Sequence, residues 1–229
     1  MPSVTEKELF EAGAHIGYSK SRRHPKMNNF IFGTRNNMEI FDLTLTAEKL
    51  AEAEEFLKRL GKEGGVVLWV GTKPAAGEHI LKIGKALNQP RVAERWLGGT
   101  LTNFKVFESR LLYWANLENE AKSGGFEKYL KKEKLLKEME LRKLERMFGG
   151  IKSLKALPAG LVVVDPLEEK TAISEARRKR IPVVALLNTD CNPEGITYPI
   201  PMNDNSSAAI ALALNKLKEA YEAGVKEKS

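Results

Sequence analysis

The sequence predicts a doubly wound α/β protein, in which helices cover both faces of a parallel sheet and one helical insertion interrupts the sheet domain. Three observations support this fold class. Continuous apolar runs, typical of strands buried on both faces, occur at 66–70, 160–164 and 181–187. Amphipathic stretches separate these runs, and this alternation favours parallel strands joined by helices. Residues 105–150 break the rhythm, because they contain eleven Lys or Arg and eight Glu.

The first half of the sheet domain is predicted from helical spacing followed by an apolar run. Leu50, Ala53 and Leu60 recur at three- to four-residue steps and face away from several glutamates. Gly64 and Gly65 then end the helix. The predicted elements are, in order, a helix at 46–61, a strand at 66–70, a helix at 74–87 and a short strand at 91–93.

The second half resumes the same alternation after the insertion. Asp165 is a candidate helix N-cap, with Pro166 at the first helical position and Glu168 at the third. The predicted elements are, in order, a strand at 160–164, a helix that ends at residue 180, a strand at 181–187, a short strand at 198–201 and a helix at 208–224.

The insertion is predicted to form two antiparallel helices. Each half carries a narrow apolar stripe, which two helices can bury only against each other, as in a coiled-coil hairpin. Gly98-Gly99 and Gly149-Gly150 flank the insertion, and Ser123-Gly124-Gly125 breaks it in the middle. The apolar positions are Phe104, Phe107, Leu111 and Trp114 in the first half, and Leu141, Leu144 and Phe148 in the second.

The N-terminal segment is predicted to be an extended basic arm, because no acidic residue lies between Glu11 and Glu39 and its Ser, Asn and Gly content disfavours regular structure. Tyr18, Phe30 and Phe32 could stack on bases or sugars, although at least one of the two phenylalanines is expected to pack into the core. The predicted divisions are an arm at 1–45, an α/β domain at 46–100 and 151–224, a hairpin at 101–150 and a disordered tail at 225–229.

The charge balance indicates a polyanionic partner. The net charge is +7 and the isoelectric point is near 9.3. No long apolar stretch or signal-peptide core occurs, so neither a membrane nor export is expected. A single cysteine, Cys191, suits a reducing compartment, and the predicted location is the cytoplasm.

No spacing in the chain recommends a catalytic site. The loop Gly71-Thr72-Lys73-Pro74 lacks both the dinucleotide fingerprint and the eight-residue phosphate loop. Asp165 and Glu168 are explained by helix capping, and Cys191 has no partner for a zinc set. We therefore predict no cofactor, no metal and no small-molecule substrate. A nucleotide-dependent α/β enzyme and a scaffold that binds only proteins are the alternatives.

Residues 95–104 join the sheet domain to the insertion and carry the sequence Arg-Trp-Leu-Gly-Gly-Thr-Leu-Thr-Asn-Phe. The segment offers a guanidinium, an indole and free backbone N–H groups, as an RNA-contacting surface would. Trp96 is more often a packing anchor than a stacking platform. We expect the segment to orient the hairpin, with Arg95 and Lys105 as the RNA contacts.

These residues together resemble the bacterial small-subunit ribosomal proteins of the S-two family. The Trp-Leu-Gly-Gly sequence at 96–99 and the Tyr-Pro-Ile-Pro sequence at 198–201 are the most specific matches. The matching segments run in order over nearly the whole chain, at 11–17, 23–27, 30–33, 70–73, 95–105, 144–145, 149–152, 181–185 and 198–204.

The resemblance implies a flavodoxin-like α/β domain with a protruding coiled-coil hairpin and a structural rather than catalytic role. The implied partners are small-subunit rRNA, neighbouring small-subunit ribosomal proteins and an mRNA-binding protein of the S-one family. Because Lys and Arg are the usual phosphate ligands, the predicted RNA contacts are Lys20, Arg22, Arg23, Lys26, Arg35, Lys73, Arg95, Lys105, Lys128, Lys131, Lys132 and Lys134.

Overall fold

A computed structural model describes residues 4–228, and its central element is a five-stranded parallel sheet. The strand order is β5-β4-β6-β7-β8, and every neighbouring pair is parallel. The predicted parallel sheet layered by helices is therefore confirmed. The strands are β4 (Val67–Val70), β5 (Arg91–Val92), β6 (Gly160–Val164), β7 (Val183–Leu187) and β8 (Tyr198–Pro201).

Seven α-helices accompany the strands in the described part of the chain. Residues 104–148 hold two of them, and a short turn with a 3-10 helix at Gly125–Lys128 joins the two. The helices are α1 (Glu6–Glu11), α2 (Leu43–Glu63), α3 (Pro74–Ala86), α4 (Phe104–Lys122), α5 (Lys131–Phe148), α6 (Lys170–Arg178) and α7 (Ser207–Lys228).

The sheet separates two hydrophobic cores because side chains alternate between its faces along each strand. Trp69, at the centre of β4, is fully buried against the face covered by α2, α3 and α7. Its neighbours Leu68 and Val70 point to the opposite face, which α6 and the base of α4 and α5 cover. Buried apolar side chains on both faces explain the continuous apolar runs in the sequence.

Helices α2 and α7 cross unusually closely on the first face. A Cβ atom on Gly224 would lie 1.9 Å from the backbone oxygen of Lys58, and one on Gly61 would lie 2.3 Å from that of Tyr221. Side chains at these two positions would therefore collide with the facing helix backbone.

The C-terminal residues 225–228 were predicted to be disordered, and that prediction is wrong. They form the last turn of α7, and Ser229 lies outside the described residues. Glu227 pairs with Lys58 of α2, and Lys228 donates to the backbone oxygen of Glu63 at 3.3 Å. These contacts with α2 order a lysine-rich segment whose composition alone predicts disorder.

The N-terminal segment forms a small antiparallel sheet, so the expected extended arm or loop is wrong over much of its length. The order β1-β3-β2 places β3 in the centre. Asn36 and Asn37 have φ angles of 50° and 63° and join β2 to β3, because asparagine tolerates the left-handed backbone of a tight hairpin turn. The strands are β1 (Ile16–Ser19), β2 (Ile31–Arg35) and β3 (Met38–Phe41).

Candidate RNA-binding surface

Three of the five predicted cations in the N-terminal segment already pair with carboxylates. Arg22 lies 2.9 Å from Asp190, and its guanidinium stacks over the Tyr18 ring at 3.9 Å from the ring centroid. Lys26 pairs with Glu194. Arg23 lies 3.2 Å from Glu39, whose carboxylate is fully buried.

Backbone contacts reinforce this attachment of the arm to the sheet domain. Tyr18 donates its N–H to the Thr189 hydroxyl at 3.0 Å, and His24 donates its N–H to the Thr189 backbone oxygen at 2.8 Å. Asp190 and Glu194 lie in the loop after β7, so this loop holds the arm. The interpretation of that loop as structural rather than metal-binding fits these contacts.

Lys20 and Arg35 are the arm cations with free charge. Both are exposed, and neither has an ion pair within residues 4–228. The arm therefore presents two cations without an ion pair, Lys20 and Arg35. Two further cations, Arg22 and Lys26, are paired with carboxylates of the loop after β7.

Lys73 lies at the carboxyl edge of the sheet, where nucleotides bind in related architectures. Its ammonium is 3.2 Å from both Asp165 and Asp204, and Asn188 donates to Asp204 at 2.7 Å. Glu169 accepts from the Thr72 N–H at 2.8 Å. The protein's own ion pairs therefore fill this edge, and the charge of Lys73 is compensated within the fold.

Asp204 is almost fully buried, and this burial changes its titration. Burial raises the pKa of Asp204 to about 6, against the opposing effects of the Asn188 hydrogen bond and the Lys73 charge. The backbone of Asp165 is left-handed, with φ of 64°, and its carboxylate accepts the N–H groups of Leu167 and Glu168 at 3.0 and 3.3 Å. The prediction that Asp165 is the N-cap of the following helix is therefore wrong, because helix α6 begins at Lys170 with Glu169 at its N-cap and Asp165 closes the turn that precedes it.

A buried glutamate organises the segment that leads into the hairpin. One oxygen of Glu175 accepts from the Trp96 indole at 3.1 Å and from the Gly99 N–H at 2.7 Å. The other accepts the Leu101 N–H at 2.9 Å, and the N–H and hydroxyl of Thr102 at 3.1 Å each. Trp96 is therefore a packing anchor, as expected.

The titration of Glu175 reflects these contacts. Burial would raise its pKa, but the hydrogen bonds from Gly99, Trp96, Leu101 and Thr102 outweigh that effect and hold the pKa below its usual value. Sequence reasoning missed Glu175. The available signal was its position three residues after Ala172, on the apolar face of α6 that also carries Ala176.

Helices α4 and α5 run antiparallel, because their contacts join the start of one to the end of the other. The rings of Phe107 and Phe148 lie 5.5 Å apart between centroids, and Tyr113 donates to Glu140 at 3.1 Å. Phe107, Trp114, Leu144 and Phe148 are buried as the apolar stripes predict. The supercoiling of a coiled coil remains a prediction.

Glu120 compensates part of the lysine run at the far end of the two helices. It lies 3.1 Å from Lys128 and 3.3 Å from Lys137, and it accepts from the Tyr129 hydroxyl at 2.8 Å. Hydrogen bonds from Tyr129 and Lys128 lower the pKa of Glu120 to about 2. Lys128 is thus paired, contrary to the simple picture of one free basic run.

Lys131 and Lys132 remain uncompensated in the first turn of α5. Both are exposed, and among the described residues neither has an ion pair. Lys134 is half-buried nearby and likewise has no ion pair in residues 4–228. Cations at a helix N-terminus oppose the helix dipole, and Glu133 in the same turn, which accepts the Leu130 N–H at 3.1 Å, offsets part of that cost.

Arg95 and Lys105 flank the segment that Glu175 holds, and both are exposed. Arg95 lines a groove of 230 Å³ at the base of the hairpin, together with Arg91 and Arg146. Arg146 pairs with Glu94, whereas neither Arg91 nor Arg95 has an ion pair within residues 4–228, and Arg95 is the more exposed of these two.

The described residues contain no metal-binding cluster. Within 4–228, no group of three or more His, Cys, Asp or Glu side chains could hold a metal ion. No helix in that range is both long and apolar enough to cross a bilayer. Cys191 is fully buried, and burial raises the pKa of its thiol.

The fold and these surfaces define a charged α/β protein with a helical projection. The sequence profile of the family described as ribosomal protein S2 matches residues 9–224. Proteins named small ribosomal subunit protein uS2, from three strains of Dehalococcoides mccartyi, are each 41% identical to this chain over 220 residues. Those alignments cover 96% of this chain and 90% of each relative.

The chain therefore belongs to the ribosomal protein S2 family. This membership confirms the resemblance inferred from the sequence motifs and the expected location in the cytoplasmic ribosome. The family consists of structural ribosomal proteins, so the alternative of a nucleotide-dependent enzyme is set aside.

Proposed function

We propose that this chain is a structural constituent of the small ribosomal subunit that binds its rRNA directly through three groups of exposed cations. The first group lies on the arm, the second beside the segment held by Glu175, and the third at the far end of the hairpin. The proposed phosphate ligands are Lys20, Arg35, Arg95, Lys105, Lys131 and Lys132, with Lys134 beside the last two.

The observation that carries this proposal is the placement of Lys131 and Lys132 at the N-terminus of α5. Two exposed lysines there repel the positive end of the helix dipole, at a cost of about 0.3–1 kcal/mol each. An RNA phosphate bound here would be attracted both by the N-terminus of the helix and by the two lysines, and this attraction would offset their repulsion.

The cations that are already paired have a different proposed role. Arg22 and Lys26 are about half exposed, with side-chain exposures of 57% and 45%. They can contact RNA while Asp190 and Glu194 fix the shape of the arm, so we propose that they supplement the unpaired cations. Arg23 and Lys73 serve the fold in this proposal, because their partners Glu39 and Asp204 are buried carboxylates.

The test is a salt titration of binding to small-subunit rRNA with the double variant Lys131→Ala/Lys132→Ala. Affinity at physiological salt should fall, and the slope of log affinity against log salt should become shallower by about 2, roughly one for each lost phosphate contact. Lys58→Ala/Lys62→Ala is the matched control, since these lysines pair with Glu227. Equal slopes for the two double variants would overturn the proposed contact.

We further propose that neighbouring ribosomal proteins cover part of the hairpin. Leu112, Leu135, Leu136 and Met139 are each more than half exposed, and exposed apolar groups of this kind fit a protein neighbour. An mRNA-binding protein of the S-one family is the additional partner that the sequence resemblance implies. Its co-sedimentation with subunits that contain or lack this chain tests that contact.

A further inference from the structure

A short groove lies at the base of the hairpin, where α3, the segment after β5 and the end of α5 meet. Its volume is 230 Å³, and Leu81, Val92 and Met147 line it together with three arginines. Pockets that hold small molecules and cofactors measure about 300–1,000 Å³. The groove is therefore too small for a nucleotide, and it has room only for a smaller group such as the end of a polypeptide chain.

Arg91 is held in this groove by close packing and carries an unsatisfied donor. Its side-chain stem lies against two glycines, since a Cβ on Gly84 would lie 2.9 Å from the Arg91 Cβ and one on Gly150 would lie 3.2 Å from its Cγ. Gly84 belongs to α3 and Gly150 follows α5, so two elements fix the stem. The Nε–H group is buried and has no hydrogen-bond partner within residues 4–228. A buried guanidinium donor of this kind favours an acceptor that comes from another molecule.

The charges around the groove favour a single carboxylate over a run of phosphates. Arg146 lines the groove but pairs with Glu94. Glu145 also lines it and has no ion pair within residues 4–228. Arg91 and Arg95 therefore exceed the remaining carboxylate by one positive charge. An RNA backbone carries a charge at every nucleotide and would bring further phosphates close to Glu94 and Glu145, whereas one carboxylate balances the groove.

We propose that this groove binds the C-terminal carboxylate of another protein chain whose last side chain is apolar. The Arg91 guanidinium pairs with the carboxylate through two parallel hydrogen bonds, the geometry that arginine forms with carboxylates. The last side chain packs against Leu81, Val92 and Met147. A chain end supplies the carboxylate and the apolar group from one residue, which suits so short a groove. Arg95 stays available for the proposed rRNA contact, so this site is additional to the proposed function.

The test is a peptide titration of the full-length protein, followed by the NMR signal of the Arg91 Nε–H group. The probe is the acetylated peptide Ala-Gly-Ser-Leu, with either a free C-terminal carboxylate or a C-terminal amide. The carboxylate form should shift the Arg91 signal and bind about 10-fold or more tightly than the amide, because the amide loses a charged hydrogen-bond partner. Replacing the last Leu of the peptide with Gly should also weaken binding, since the apolar walls lose their contact.

Variants of the groove separate the fork of hydrogen bonds from simple charge. Arg91→Lys keeps the positive charge but loses the planar fork, so its affinity for the carboxylate peptide should fall to that for the amide. Arg178→Lys is the matched control, because Arg178 is exposed at the end of α6 and has no ion pair within residues 4–228. It should bind the peptide like wild type.

A second variant keeps the test independent of the packing around Arg91. Leu81 is 42% exposed on α3, so Leu81→Glu should fold normally and should repel the carboxylate peptide. Thermal unfolding of each variant checks that the fold is kept. Wild-type affinity in Leu81→Glu would contradict the placement of the peptide in this groove.

Three further results would overturn the inference. Equal binding of the carboxylate and amide peptides, or an unshifted Arg91 signal, removes the carboxylate ligand. A peptide with an amide end and an internal glutamate that binds as tightly as the free carboxylate makes the ligand a side chain rather than a chain end. Inorganic phosphate that shifts the Arg91 signal as strongly as the peptide makes the groove a phosphate site. None of these results affects the proposed rRNA binding, which the salt titration measures separately.

Discussion

Replacing Glu175 with glutamine is expected to destabilise the protein strongly, although the change removes no heavy atom. The amide nitrogen of Gln cannot accept a hydrogen bond, so one of the two groups of donors around the carboxylate loses its acceptor. The smaller of these groups contains two donors, the Trp96 indole and the Gly99 N–H. The larger contains three, which belong to Leu101 and Thr102.

The magnitude follows from these orphaned groups. Each buried donor without an acceptor costs about 1–3 kcal/mol, so two donors give a loss of about 2–6 kcal/mol in unfolding free energy. For a chain of this size each kcal/mol lowers the melting temperature by about 2–4 °C. The melting temperature of Glu175→Gln should therefore fall by at least about 4 °C.

The assay is thermal unfolding followed by circular dichroism at pH 7.5, with Glu168→Gln as control. Glu168 is exposed in the turn that precedes α6, so its replacement should have almost no effect. A decrease for Glu175→Gln that matches the control would refute the reasoning that the carboxylate holds the segment at 95–104.

The pH dependence gives an independent check on Glu175. Its pKa is lower in the folded state than in the unfolded chain, so its stabilising effect is present above the unfolded value, near 4.3, and is lost as pH falls through the folded value. The difference in melting temperature between wild type and Glu175→Gln should therefore shrink below about pH 4. A constant difference across this range would contradict the role of the charge.

Three further predictions concern other buried positions. Burial raises the pKa of Asp204 to about 6, so its contribution to stability is greatest at low pH and declines as pH rises through that value. Asp204→Asn should therefore make the pH profile of denaturation flatter between pH 4 and 7.5, and an unchanged profile would contradict this reasoning. Gly224→Ala should lower the unfolding free energy by about 1–3 kcal/mol, because its Cβ meets the Lys58 backbone, whereas Ala223→Gly at the exposed neighbouring position should cost no more than about 1 kcal/mol. Cys191 should resist iodoacetamide in the folded protein and react after denaturation, as mass spectrometry can show, and rapid native labelling would disprove its burial.

The five-stranded sheet could be predicted because each long strand is encoded by a short run of consecutive apolar residues. The run around Trp69 is apolar at every position, as is typical of a strand buried on both faces. The stripes of the hairpin are local in the same sense, since Phe107 and Trp114 are seven residues apart and lie on one face.

The small sheet of the arm could not be predicted in this way. Its strands contain only four or five residues, and β1 pairs with β3 although β2 lies between them in the sequence. Strands this short are stable only through their neighbours, so composition gives little guidance. Asn36 and Asn37 were the available signal, because two adjacent asparagines suit a tight hairpin turn as well as they suit a loop.

Whether each basic side chain is in an ion pair also could not be predicted from the sequence. Arg22 meets Asp190 across 168 positions of the chain, and Lys73 meets Asp204 across more than a hundred. No spacing rule connects residues so far apart. Net charge therefore predicted the kind of partner, and only the fold could distinguish free cations such as Lys131 from compensated ones.

The close crossing of α2 and α7 has a consequence for how the protein is made. Helix α2 is synthesised before α7, more than 140 residues separate the two, and each covers the apolar face of the other. The core that contains Leu50, Leu57 and Leu60 therefore stays incomplete until α7 has left the synthesising ribosome. The nascent protein carries an open hydrophobic surface throughout that interval, which makes it a natural client for chaperones that act at the exit site.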